Sequence, residues 1–207
     1  MKIKQLLILL LITLVFVGCP DPEVFDKEDI LSLNLVPLHE QFEDYFLIGN
    51  IFRGPSEITG SGAGATFNNL RLTRHFNAVT AENNMKPSYL VTGRNTTTGA
   101  FTWNTGNQTI ADNFVHAANN AGMAVIGHTL LWHSQNAGWM SSQIASSNGT
   151  VVSGMTKEIA LNIMREYITE VVSHFAGKIH TWDVLNEIFP DGTNNTNWRT
   201  AMRTANP

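Results

Sequence analysis

Met123-Ala124-Val125-Ile126-Gly127-His128-Thr129-Leu130-Leu131-Trp132-His133-Ser134-Gln135 is the stretch on which the fold turns. Met123–Thr129 is a near-continuous apolar run of strand length, and the residues after it turn polar and aromatic. A strand apolar on both faces is the habit of a parallel sheet covered by helices. The preceding residues agree. Thr109–Asn120 sets Ile110, Phe114, Val115 and Ala118 at helical spacing and stops at Gly122. A helix leading straight into an apolar strand is half of a βαβ unit.

The same alternation continues in both directions. Strands are expected at Phe46–Asn50, Phe76–Ala81 and Ile179–Leu185, with a helix around Asn68–Phe76. The clearest helix is Lys157–Phe175, with Thr156 as N-cap and Glu158 in its first turn. Its apolar residues, from Ile159 and Ile163 through Tyr167 and Val171 to Phe175, form one stripe that Gly177 closes. Asn95–Gly99 and Ser141–Gly154 read as polar loops. The chain shows no internal repeat and no low-complexity tract. Parallel βαβ units, an α/β fold, are the expectation.

A chain of 207 residues with 43% hydrophobic content suffices for one globular domain with a core. Charged residues are only 14%, so Asn, Thr, Ser and Gly must supply much of the polar surface. The net charge of −4 and the lack of a basic block argue against nucleic acid as a partner. A single cysteine excludes an intramolecular disulfide framework and a Cys-rich zinc module.

The N-terminus carries an address. Lys2 and Lys4 precede a greasy run from Leu6 to Val17, the form of an export signal. The run is shorter than the ~20 residues of a membrane-crossing helix. It is also apolar all round, unlike the amphipathic face of a core helix. Phe16-Val17-Gly18-Cys19 resembles a bacterial lipoprotein processing site, in which Cys19 becomes the lipidated first residue. Phe16 departs from the small or aliphatic residue usual there, and the alternative is a free cysteine beside an ordinary cleavage site. Residues 1–18 are thus expected to be a lipoprotein signal and 19–40 an acidic tether holding the domain off a membrane. Export to a bacterial envelope follows, with the outer membrane the expected anchor and surface exposure a further option.

The chemistry-bearing residues gather after the strands. Thr80-Ala81-Glu82-Asn83-Asn84-Met85-Lys86-Pro87 follows the second strand, Gly127–Gln135 the third, and Trp182-Asp183-Val184-Leu185-Asn186-Glu187 the fourth. In a (β/α) barrel these ends share one rim, where such barrels hold their catalytic groups. Hydroxyl-rich ligands require forked donors and acceptors, which Glu82, Asn83, Lys86, His128, Gln135 and Asn186 supply. Trp132 offers an apolar face to the C–H side of a sugar ring. Glu187, after an apolar strand, is suited to act as a general acid.

Plainer readings stand beside these. Glu82 could pair with Lys86 as a structural ion pair, His128 could be a satisfied core histidine, and Trp182 reads as packing. Trp103 and Trp139 could be rim contacts or local plugs. Gly60-Ser61-Gly62-Ala63-Gly64 lacks the Lys-Ser/Thr ending of a phosphate loop and reads as a flexible βα loop. His128 and His133 point to opposite faces of a strand, so no metal and no cofactor are expected.

Three segments, Phe76-Asn77-Ala78-Val79-Thr80-Ala81-Glu82-Asn83-Asn84-Met85-Lys86-Pro87, Gly127–Gln135 and Trp182–Phe189, resemble the endo-1,4-β-xylanases of glycoside hydrolase family 10. They stand in that family's order, and the resemblance covers residues 41–207. It implies a (β/α)8 TIM barrel that cleaves the xylan backbone internally with retention. By that resemblance Glu187 is the general acid/base. Asn186, His128 and Trp132 contact the sugar at the cleavage site, Glu82, Asn83 and Lys86 line the glycone side, and Gln135 lies nearby. A second carboxylate, roughly 5–5.5 Å away, would form the glycosyl-enzyme intermediate.

That second carboxylate is where the chain departs from the family. The nucleophile belongs to a Thr-Glu-Leu-Asp-type motif on the seventh strand, and no such motif occurs here. Glu82 matches a binding position instead. Pro207 comes just past the fourth strand, whereas a complete barrel takes roughly 250 residues. The expectation is therefore the first four βα units of a longer enzyme, truncated or interrupted by an inserted module, and inactive alone. The rival is a non-catalytic xylan- or glycan-binding lipoprotein built on the same barrel.

Overall fold

The computed structural model describes residues 35–60, 73–145 and 150–187. The chain divides into two compact units, Met1–Val36 and Pro37–Pro207, of which the second is described below. The export signal, Cys19 and most of the tether fall outside the described residues, as do Ser61–Gly64 and most of the helix expected at Asn68–Phe76. Among the described residues, no helix is long and apolar enough to cross a membrane. The second unit starts at Pro37, and α1 (Leu38–Gln41) is its first element.

The elements follow as β1 (Gly49–Phe52), α2 (Pro55–Thr59), β2 (Ala78–Ala81), α3 (Pro87–Leu90), β3 (Val91–Arg94) and β4 (Phe101–Trp103). Then come α4 (Thr105–Asn120), β5 (Ala124–Trp132), α5 (Gly138–Gln143), α6 (Lys157–His174) and β6 (Thr181–Asn186). Four strands make one parallel sheet in the order β1-β2-β5-β6. Parallel neighbours need helical crossovers, and α4 and α6 supply the long ones. The parallel α/β expectation holds, and its strands fall where the apolar runs were read, with ends shifted by a few residues.

Both long helices start on a side-chain cap. Asn104 accepts from the Asn107 backbone N–H at 3.2 Å, and Thr156 from that of Ile159 at 3.3 Å. Asn104 therefore starts α4 a turn earlier than the apolar spacing alone indicates. Beyond α6, Gly177 takes φ +73°, a left-handed turn that a side chain would resist.

Of the two expected loops, one stands and one is corrected. Asn95–Gly99 is the tip of an antiparallel hairpin, β3–β4. The Asn95 side chain accepts from the N–H groups of Thr97 and Thr98 at 2.8 and 2.9 Å, and Gly99 reverses the chain at φ +77°. Ser141–Gly154 is not wholly loop, since α5 runs through Gln143 and Ala145 bridges to Val151.

The hairpin is fastened to both flanking helices. Trp139 on α5 is buried and donates its indole N–H to the Val91 carbonyl at 3.1 Å, so it is a plug. Trp103 donates to Glu170 at 2.9 Å, and Arg94 pairs with Glu166 at 2.7 Å, both partners on α6. His174, also on α6, meets Asp112 of α4 at 2.7 Å. Tyr167 is wedged between Phe101 and Trp139, and burial pushes its phenol far up, so it stays neutral across the working pH range.

Core residues fill the space between sheet and helices: Val79, Ala81 and Val125 from strands, Phe114 and Val115 from α4, Tyr167 and Val171 from α6. Gly127 on β5 stands directly across from Trp182 on β6. A Cβ at Gly127 would come within 2.6 Å of the Trp182 ring, whose indole packs against Phe175 with centroids 6.0 Å apart. The missing side chain is what lets the indole lie over the strand. Gly127→Ala is expected to cost about 1–3 kcal/mol through overpacking, read as a lower urea midpoint at constant slope. The edge strands expose apolar groups, with Ile51 on β1 at 62% and Leu185 on β6 at 52%.

Candidate active site

All four strands of the sheet run the same way, so Phe52, Ala81, Trp132 and Asn186 end at one rim. Glu82, Asn83 and Lys86 leave β2 there, Trp132 and Gln135 close β5, and Asn186 and Glu187 close β6. Topology alone has brought three separate motifs to one end of the sheet.

Lys86 is the hub of the first cluster. It is 8% exposed, and its ammonium donates to Asn83 Oδ1 at 3.0 Å and Gln135 Oε1 at 2.8 Å. The same ammonium stands 4.9 Å from the Trp132 ring centroid, a cation–π contact. Gln135 also donates to Asn83 at 3.4 Å, and its carbonyl accepts from the Ser88 N–H at 3.0 Å. Those bonds hold Gln135 at φ +48°, a conformation costly for a residue with a Cβ. No ion pair between Glu82 and Lys86 forms; Glu82 is exposed, and Lys86 turns to the two amides instead.

Strand β5 carries one more residue than β6 between the pairs His128–Asp183 and Leu131–Leu185. Such a bulge bends a strand and re-aims the side chains beyond it. Thr129, whose peptide with His128 is cis, is fully buried and donates its hydroxyl to the Asp183 carbonyl at 2.8 Å. His128 Nδ1 meets Asp183 Oδ2 at 2.9 Å, so His128 is oriented by a carboxylate and half-buried at the rim.

Glu187 takes φ +50° and turns its carboxylate toward β5. The Trp132 indole N–H donates to Glu187 Oε2 at 2.7 Å, and His133 Nδ1 stands 3.7 Å from the same oxygen. Asn186 is half-buried beside it, paired with Trp132 across the two strands. The rim therefore joins a held carboxyl, a flat aromatic ring and a fixed set of amide and ammonium groups. That combination can grip a polyhydroxylated ring and deliver a proton beside it. Sequence reading missed Asp183 as a partner of His128, a pairing set by the register between β5 and β6. Among the described residues, no group of three or more His, Cys, Asp or Glu is set to hold a metal.

Residues 38–205 match the family described as Glycosyl hydrolase family 10, and the chain belongs to that family. Its fold is thus part of a (β/α)8 TIM barrel. Endo-1,4-beta-xylanase A of Thermotoga maritima is 34% identical over 174 residues, 80% of this chain and 14% of that protein. Beta-1,4-xylanase of Dictyoglomus thermophilum is 35% identical, over 92% of this chain and 44% of that protein. The crystal structure of a bacterial Ig-like domain containing GH10 xylanase from termite gut is 46% identical with a TM-score of 0.66, over 86% of this chain and 35% of its own. The chain therefore spans less than half the length of each of these relatives.

Proposed function

We propose that this chain contributes the proton donor and the glycone-side sugar contacts of a retaining endo-1,4-β-xylanase. The observation that carries the reading is Glu187 at the tip of β6, held by Trp132, beside the Lys86–Asn83–Gln135 cluster. In a retaining mechanism Glu187 protonates the departing glycosidic oxygen and later takes a proton from water. Asn186 and His128 contact the sugar being cleaved, and Trp132 offers its ring face. Glu82, Asn83, Lys86 and Gln135 hold the neighbouring sugar unit. The step also requires a nucleophilic carboxylate, for which this sequence has no matching motif. The 207 residues alone are therefore proposed to bind xylo-oligosaccharides with little turnover.

Reducing-sugar release from xylan tests the reading, assayed for this chain and for the product of the reading frame extended past Pro207. Release by the extended protein supports it. Xylan binding without cleavage by that protein would overturn it in favour of a glycan-binding barrel.

The address belongs to the same proposal: export, lipidation at Cys19 and attachment to the bacterial envelope, most simply the outer membrane. The apolar run Leu6–Val17 ending at Gly18-Cys19 supports it. Radiolabelled palmitate should enter the protein in the native host, and Cys19→Ser should abolish the label. Labelling that persists in Cys19→Ser would refute lipidation there.

A further inference from the structure

Trp132 does more than face a sugar. Its indole N–H is a donor only, and it spends that donor on Glu187 Oε2 at 2.7 Å. His133 also faces Oε2, at 3.7 Å. Among the described residues Oε1 has no partner. Trp132 is itself fixed from several directions. Its backbone N–H donates to Asn136 at 3.5 Å, the Lys86 ammonium covers the ring at 4.9 Å, and the bulge in β5 sets its departure from the strand. His133 lies edge-on to the indole with centroids 5.6 Å apart, and His128, tied to Asp183, is 6.5 Å away.

We infer that Trp132 is a positioning residue for Glu187: its N–H pins Oε2, so that the proton Glu187 delivers is carried on Oε1. The inference rests on the reading of Glu187 as the proton donor. An oxygen already accepting from the indole is directed at a donor, which leaves the proton to the other oxygen. On delivery the Oε1–H bond breaks, a new O–H bond forms on the leaving oxygen, and the carboxylate keeps the electron pair. The negative charge left behind then meets a donor already in place on Oε2, and charge-assisted bonds of this kind are about twice as strong as neutral ones. The arrangement also links sugar binding to the acid. Asn83 and Gln135 hold Lys86, Lys86 covers Trp132, and Trp132 holds Glu187.

The test follows the indole N–H directly. In a ¹⁵N-labelled chain the five tryptophans give separate indole signals, and Trp132→Phe identifies the signal of Trp132. That signal should move once between the ionised and the protonated form of Glu187. Glu187→Gln should abolish the transition, and His133→Gln should leave it in place. A transition that survives Glu187→Gln, or disappears in His133→Gln, overturns the inference. The other four signals report whether each variant is folded, and the exposed Glu187 makes its variant the safe one should Trp132→Phe unfold. In the xylan-cleaving protein, Trp132→Phe keeps the ring face and removes the donor. The expectation there is kcat lower by about 10- to 100-fold, an altered acid–base pH profile and little change in KM. A rise in KM alone would leave Trp132 a sugar contact and overturn the positioning role. Absence of xylan cleavage by the parent protein would instead refute the enzymatic reading, while the indole titration would still stand or fall by itself.

Discussion

Glu187→Gln lowers xylan hydrolysis by about 10²–10⁴-fold in the cleaving protein, the usual worth of a general acid or base, and leaves oligosaccharide binding nearly intact. The amide keeps the shape of the carboxyl and an oxygen able to accept from the Trp132 indole, so the rim stays assembled. What is lost is the transferable proton. The loss should be steepest on substrates with poor leaving groups and shallow on activated aryl glycosides, whose departing oxygen needs little help. Reducing-sugar release and an aryl xyloside assay, run beside calorimetric titration of a xylo-oligosaccharide, separate these effects. Equal hydrolysis by parent and variant would remove Glu187 from its role.

Phe114→Ala is the change expected to harm the fold most. Phe114 is fully buried on α4, and the helix's other buried residues are Ala111, Val115, Ala117 and Ala118. Those neighbours are small and held on a regular helix, so they cannot close over the space a ring leaves. Truncation of a buried Phe costs about 3–5 kcal/mol from lost transfer energy plus the residual cavity. Because α4 connects β2 to β5, the damage should reach the rim through the strand that carries His128 and Trp132. A urea midpoint within about 0.5 kcal/mol of the parent, once converted through the slope, would show that Phe114 is not the keystone of this layer.

How much of this was visible beforehand depended on the range of the interactions. Lys157–His174 was legible because cap, stripe and closing glycine are all local, and Thr156 and Gly177 act as such signals should. The β3–β4 hairpin was not, because its strands are short and are held by Trp103, Trp139 and Arg94 reaching distant partners. The rim motifs could be found because parallel topology gathers strand ends automatically. The pairings inside the rim could not. His128 meets Asp183 only through the register between β5 and β6, and Trp132 reaches Glu187 only beyond a bulge that no local pattern announces. Likewise, Lys86 chose two amides over the nearby Glu82, a choice set by burial rather than by sequence distance.

Gln135 and Glu187 both occupy backbone that glycine or asparagine would fill with less strain. Selection for thermal endurance alone would thus favour glycine at position 187, whereas at 135 the side chain offsets its strain by accepting from the buried Lys86. A library screened only for heat tolerance would drift toward a sturdier fold without the carboxyl proposed as the proton donor, so a screen of this scaffold has to score xylan cleavage by the extended protein and endurance together.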